Sequence, residues 1–111
     1  MREGGLRMRS ENPGELHRLP VGAVVIYTDK LAELRAKLVI VQLTRDEEGT
    51  PLYVLGEKPI APPPPEHTMF SRPYLAYRML VGWFVGEAVA TNIKDTDERV
   101  KVRPFDAERF A

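Results

Sequence analysis

Cysteine is absent from the 111 residues, which excludes a disulfide framework, a thiol nucleophile and every cysteine-held zinc or iron–sulfur site. Imidazole and serine are scarce: the chain has only His17, His67, Ser10 and Ser71. Neither serine sits in a G-x-S-x-G elbow, and the prolines around His67 and Ser71 spoil the helix that would make that pair neighbours. Net charge is also missing, because sixteen Lys and Arg balance sixteen Asp and Glu. No global field therefore recruits nucleic acid or an acidic membrane surface. The longest uncharged apolar run, Met79 to Gly86, falls far short of the roughly 18 residues a spanning helix requires. Arg2, Glu3, Arg7, Arg9, Glu11 and Glu15 interrupt any signal-peptide core. These absences lead to the expectation of a soluble, non-enzymatic protein, cytoplasmic or held within a virion or other large assembly. Asn12, Gln42 and Asn92 are the only side-chain amides, and with ten prolines and an excess of arginine over lysine they suggest a thermophilic source.

Metal and phosphate chemistry find little to work with. Asp95-Thr96-Asp97-Glu98 opens like an oxygen-ligand loop, but Arg99 and Val100 stand where a ligand and the turn glycine are required. It reads as a solvated turn. Asp46-Glu47-Glu48 reads as a wet hairpin tip, since an acid–base pair needs surroundings that push two pKa values apart. Glu3-Gly4-Gly5 lacks the P-loop frame, and the Gly82 and Gly86 spacing lies in a run too short for a membrane dimer. No metal and no cofactor are expected.

What is present is β-rich. Ala23 to Thr28 is dominated by β-branched and aromatic residues and reads as a first strand. Leu38 to Thr44 and Leu52 to Gly56 read as a hairpin around Asp46 to Pro51, with Gly49 free to take a positive φ. Asp29 to Lys37 satisfies two periods at once. Leu31, Leu34 and Leu38 fit a helical face capped by Asp29, while Ala32, Leu34, Ala36 and Leu38 alternate with charged residues as a strand does. Helix propensity favours a helical turn or long loop. Pro62 to Pro65 cannot join a central strand or continue a helix, so residues 59–66 are expected to cross as an extended connector.

Tyr77 to Val85 is apolar on both alternate faces, like a central strand, and competes with a buried helix over Tyr74 to Ala90. Gly82 and Gly86 inside such a helix would each cost about 1 kcal/mol, which favours the strand. Trp83 is then a core residue, with a base-stacking platform as the other use of its ring. Ala88 to Ile93 and Val100 to Val102 read as marginal strands. The expected fold is mainly β, a small antiparallel barrel or sandwich with SH3-like architecture favoured, and at most one or two short helical turns. Its parts are an N-terminal arm (1–19), the β-rich domain (20–104) and a C-terminal tail (105–111).

Two features carry functional expectations. The arm concentrates Arg2, Arg7 and Arg9, residues suited to contacts with phosphate or an acidic protein face. The connector leads into Phe70, Arg72, Tyr74 and Arg78, and aromatics interleaved with arginine are enriched at interface hot spots. The chain accordingly reads as a protein-interaction or assembly module, possessing a protein partner and no membrane partner. The alternative is a small barrel associated with nucleic acid or the transcription machinery, working through its arginine-rich arm.

Overall fold

The structure is a computed structural model and describes residues 16–64, 66–67, 70–82 and 84–111. Among these residues the strands are β1 (Ala23–Asp29), β2 (Leu34–Arg45), β3 (Pro51–Gly56), β4 (Val85–Ala88) and β5 (Ile93–Arg99). One helix, α1 (Arg72–Val81), interrupts them between β3 and β4, and 3₁₀ turns occupy Ala90–Asn92 and Ala107–Phe110. The strands form a single antiparallel sheet in the order β4-β3-β2-β1-β5.

The mainly β expectation holds, with two corrections: α1 runs ten residues beside two 3₁₀ turns, more than the one or two short helical turns expected, and the sheet does not close. Among the described residues β4 and β5 are the two edges and do not pair, so the sheet is open. Side chains do the joining instead. Ala88 at the end of β4, Ala90 in the 3₁₀ turn and Ile93 at the start of β5 all pack on one cluster with Val25, Ile40 and Leu55.

Gly22 prepares the entry to β1. Its φ of 98° is open to glycine, its N–H donates to the Ile40 carbonyl at 2.8 Å, and its own carbonyl accepts from Val100 N at 2.8 Å. At the other end of β1, Asp29 does not start a helix. Its Oδ1 accepts from Leu31 N at 3.0 Å and Ala32 N at 3.2 Å, an Asx turn that sends the chain straight into β2. The expectation of a helical turn or long loop over 29–37 therefore holds for the turn at residues 30–33 and is overturned for Leu34 to Lys37, which are strand. Six register pairs with β1, from Val24↔Val39 to Asp29↔Leu34, outweigh the intrinsic helix preference of Leu34 to Lys37.

The β2–β3 hairpin forms as expected. Asp46 Oδ1 accepts from Glu48 N at 2.9 Å and Thr50 N at 2.8 Å, and Gly49 has φ 88°. A register shift between Ile40 and Gln42 bends β2. Leu38, Ile40 and Leu43 serve one face of the sheet, while Val39 and Val41 join Val24 and Val54 on the other. Both faces are covered in part, the second by Val100 and Val102.

The largest correction concerns Tyr77 to Val85, which is not a strand. Residues up to Val81 are helical and only Val85 begins β4. Ser71 caps the helix, its side chain accepting from Tyr74 N at 3.4 Å, and Pro73 lies in the first turn where its missing N–H has no intrahelical partner to lose. Gly82, at φ 111°, ends the helix. The glycine penalty that argued for a strand does not apply, because Gly82 lies past the helix and Gly86 in β4. Trp83 falls outside the described residues.

The marginal strands are redrawn as well. Ala88 to Ile93 is the end of β4, a 3₁₀ turn and the start of β5, whereas Val100 to Val102 is irregular. Asp95 to Glu98 belongs to β5 rather than a free turn. Its turn chemistry appears as an irregularity within the strand: Asp97 has φ 68°, and Thr96 Oγ1 donates to the Val24 carbonyl at 2.7 Å.

Candidate functional site

Helix α1 is anchored on one side by Pro73, Tyr77 and Val81, spaced four apart so that they share a stripe. Tyr77 and Val81 cluster with Ile60 of the connector and touch Val85 and Phe105. The connector in turn pairs with the C-terminal segment through a parallel bridge, Ile60↔Arg103, with Ala61 N donating to Arg103 O at 2.8 Å and Arg103 N to Pro59 O at 2.9 Å. The Tyr77 hydroxyl donates to the Ile60 carbonyl at 3.1 Å, and burial, followed by the nearby Tyr74, pushes its pKa well above the ordinary tyrosine value.

The opposite side of α1 is apolar too. Leu75 is 47% exposed and Met79 86%, and Phe70, just before the cap, is 84% exposed. Arg72, Leu75, Ala76 and Met79 form one wall of a groove of about 400 Å³ whose other wall is Arg109, Phe110 and Ala111. That second wall is braced: Phe110 stacks on Phe105 with centroids 5.5 Å apart at 8°, and Phe105 meets Tyr77 edge-on at 5.6 Å.

Of the residues expected from the sequence, Arg72 alone lines this groove. Phe70 lies exposed ahead of the helix and Arg78 is exposed in its last turn. Tyr74 is half-buried and turns elsewhere, into a cleft beneath the connector that it lines with Gln42, Thr44, His67 and Glu87. Arg2, Arg7 and Arg9 lie outside the described residues. Leu75, Met79, Arg109 and Phe110 are additions from the structure. The signal for the first two is the helical spacing: once Pro73, Tyr77 and Val81 are assigned inward, Leu75 and Met79 fall on the far side.

Other chemistry-bearing groups have structural partners. The His17 ring lies edge-on to Tyr53 with centroids 4.9 Å apart, and Nε2 is 2.9 Å from the carbonyl oxygens of both Thr44 and Leu52, so this nitrogen carries the proton. Arg18 N donates to the Tyr53 hydroxyl at 2.9 Å. Asp95 is bound by Arg99 at 2.9 Å, and that hydrogen bond holds its carboxyl below the usual aspartate range. Asp46 is engaged by its own turn. Among the described residues no group of three or more His, Asp or Glu is placed to hold a metal ion, and no helix is long and apolar enough to cross a membrane.

No family model, no curated protein and no solved structure matches this chain.

Proposed function

We propose that the chain is a non-catalytic protein-interaction or assembly module with the outward side of α1 as its docking surface. One observation carries this reading: Leu75 and Met79 face solvent on a helix whose other side, Pro73, Tyr77 and Val81, is already buried. A surface helix ordinarily keeps its second side polar, and exposed apolar patches rimmed by polar groups mark interaction sites. Arginine and aromatic neighbours, here Arg72, Arg109 and Phe110, suit such a site.

We read the sheet as SH3-like in arrangement. In support, β1 lies between β2 and β5, the two halves of the bent β2 pair with different neighbours, and a 3₁₀ turn links the last two strands. The connector and α1 are then one long insertion between β3 and β4. Recognition elements are commonly carried on such excursions from a rigid scaffold. Architecture of this kind names no activity by itself.

The test is size-exclusion chromatography of source lysate containing either the native chain or Leu75→Glu with Met79→Glu. The native chain is expected in a species heavier than its own 12.6 kDa and the variant in none, with the same unfolding midpoint. A variant that stays in the heavier species overturns the reading. Salt-sensitive nucleic-acid binding that survives the double substitution favours the arginine-rich arm instead.

A further inference from the structure

The groove between α1 and the Ala107–Phe110 turn has a charge pattern as well as an apolar floor. Ala76 is the small residue between Leu75 and Met79, leaving room for an inserted side chain, and Phe110 forms the facing wall. Arg72 and Arg109 stand on opposite walls. No acidic side chain lines the groove, and α1 carries none along its length, with Arg78 adding a third guanidinium in the last turn. Among the described residues, Arg72, Arg78 and Arg109 have no carboxylate partner. Asp106 does not line this groove; it lies in the neighbouring hollow on the other side of the second wall, which Arg103, Arg109 and Phe110 also line. The Phe105 and Tyr77 ring contacts hold Phe110 in place ahead of binding, which lowers the ordering cost of docking.

We infer that this groove takes an acidic amphipathic segment of a partner protein, one apolar side chain seated over Ala76 and carboxylates reaching Arg72 and Arg109. Arginine matches a carboxylate through two parallel N–H donors, so a partner with acids beside its anchor gains orientation as well as attraction. A basic segment meets like charge on both walls and is rejected. The inference rests on α1 being the docking surface and adds the chemistry of what docks.

The probe is a displayed library of random dodecapeptides, selected separately on the native chain, on Arg72→Glu with Arg109→Glu, on Ala76→Trp and on Met79→Glu. The native chain is expected to enrich Leu, Phe or Met beside Asp or Glu, and the arginine reversal to enrich Lys and Arg at those flanks. A resynthesised acidic peptide should lose about tenfold or more in affinity for the reversed groove. Ala76→Trp, which fills the groove, and Met79→Glu, at an exposed position, should each abolish that selection. Peptides that need Ala76 and Met79 but show no acidic preference overturn the inference and leave the docking surface standing. Failure to select, or selection insensitive to Ala76→Trp and Met79→Glu, overturns both. A sedimenting dimer that Met79→Glu dissociates puts a second copy of the chain in the groove and overturns the acidic partner.

Discussion

The Tyr77 hydroxyl donates to the Ile60 carbonyl oxygen at 3.1 Å, and this bond fastens the helix to the connector that delivers it. Both residues are buried, Tyr77 fully. Tyr77→Phe removes the donor and leaves a buried carbonyl without it, which should cost about 1–2 kcal/mol in urea unfolding. Tyr77→Ala also empties the space among Ile60, Val81 and Phe105, and should cost about 3–5 kcal/mol.

Alkaline pH should act through the same hydroxyl. Its pKa is raised in the folded state, so the unfolded chain loses this proton first as pH climbs. Stability from Tyr77 is complete below the ordinary tyrosine pKa of about 10 and declines above it. Tyr27, raised by burial and by Asp29, contributes in the same direction. Unfolding midpoints followed above pH 10 should therefore fall less steeply in Tyr77→Phe than in the native chain.

Two glycines make a graded pair. A Cβ on Gly22 would strike the backbone carbonyl of Val100, whose own N–H is tied to the Gly22 carbonyl, and φ is 98°. A Cβ on Gly82 would strike the carboxylate end of Glu57, which is free to swing, at φ 111°. Gly22→Ala should cost about 2–4 kcal/mol and Gly82→Ala about 1–2 kcal/mol, measured by chemical denaturation. Adding Glu57→Ala to Gly82→Ala should recover the steric part and not the backbone part.

His17 and Tyr53 tie residues 16–19 onto the β2–β3 hairpin. Tyr53→Phe removes the acceptor of Arg18 N, and His17→Ala removes the donor shared by Thr44 and Leu52. Each should cost about 1 kcal/mol and speed amide exchange at Arg18 and Leu19, read by hydrogen-exchange NMR. Unchanged exchange would show that these contacts do not hold the segment.

Asp95 should titrate below the ordinary aspartate range, and Arg99→Gln should return it upward in an NMR titration. A carboxylate lowered in this way supports the fold above its ordinary pKa and stops doing so as pH falls through the lowered value. The pair is exposed, so the unfolding midpoint near neutral pH should barely move.

Much of the sheet is legible in the amino-acid sequence. β1 and the hairpin at Gly49 stand where β-branching and turn chemistry put them, because both signals belong to a few adjacent residues. Leu34 to Lys37 is ambiguous because the same residues satisfy a helical and a two-residue period. Arg72 to Val81 is hard to read for a related reason. Ser71 and Pro73 announce a helix, but the same residues also serve as loop punctuation, and Gly82 counts against a helix only when it is placed in the interior. Of the candidate site, Arg72 is recognisable from its aromatic neighbours, while Leu75 and Met79 become visible only with the helix.

The chain's own composition excludes thiol chemistry, and its local patterns place the first strand and the Gly49 hairpin. These follow from covalent structure and from neighbours in sequence. Tertiary structure decided that residues 34–37 pair with β1, that the sheet stays open, and that one apolar side of α1 is buried while the other meets solvent. Those choices depend on partners distant in the chain, and an apolar residue carries no local mark of which partner it will find.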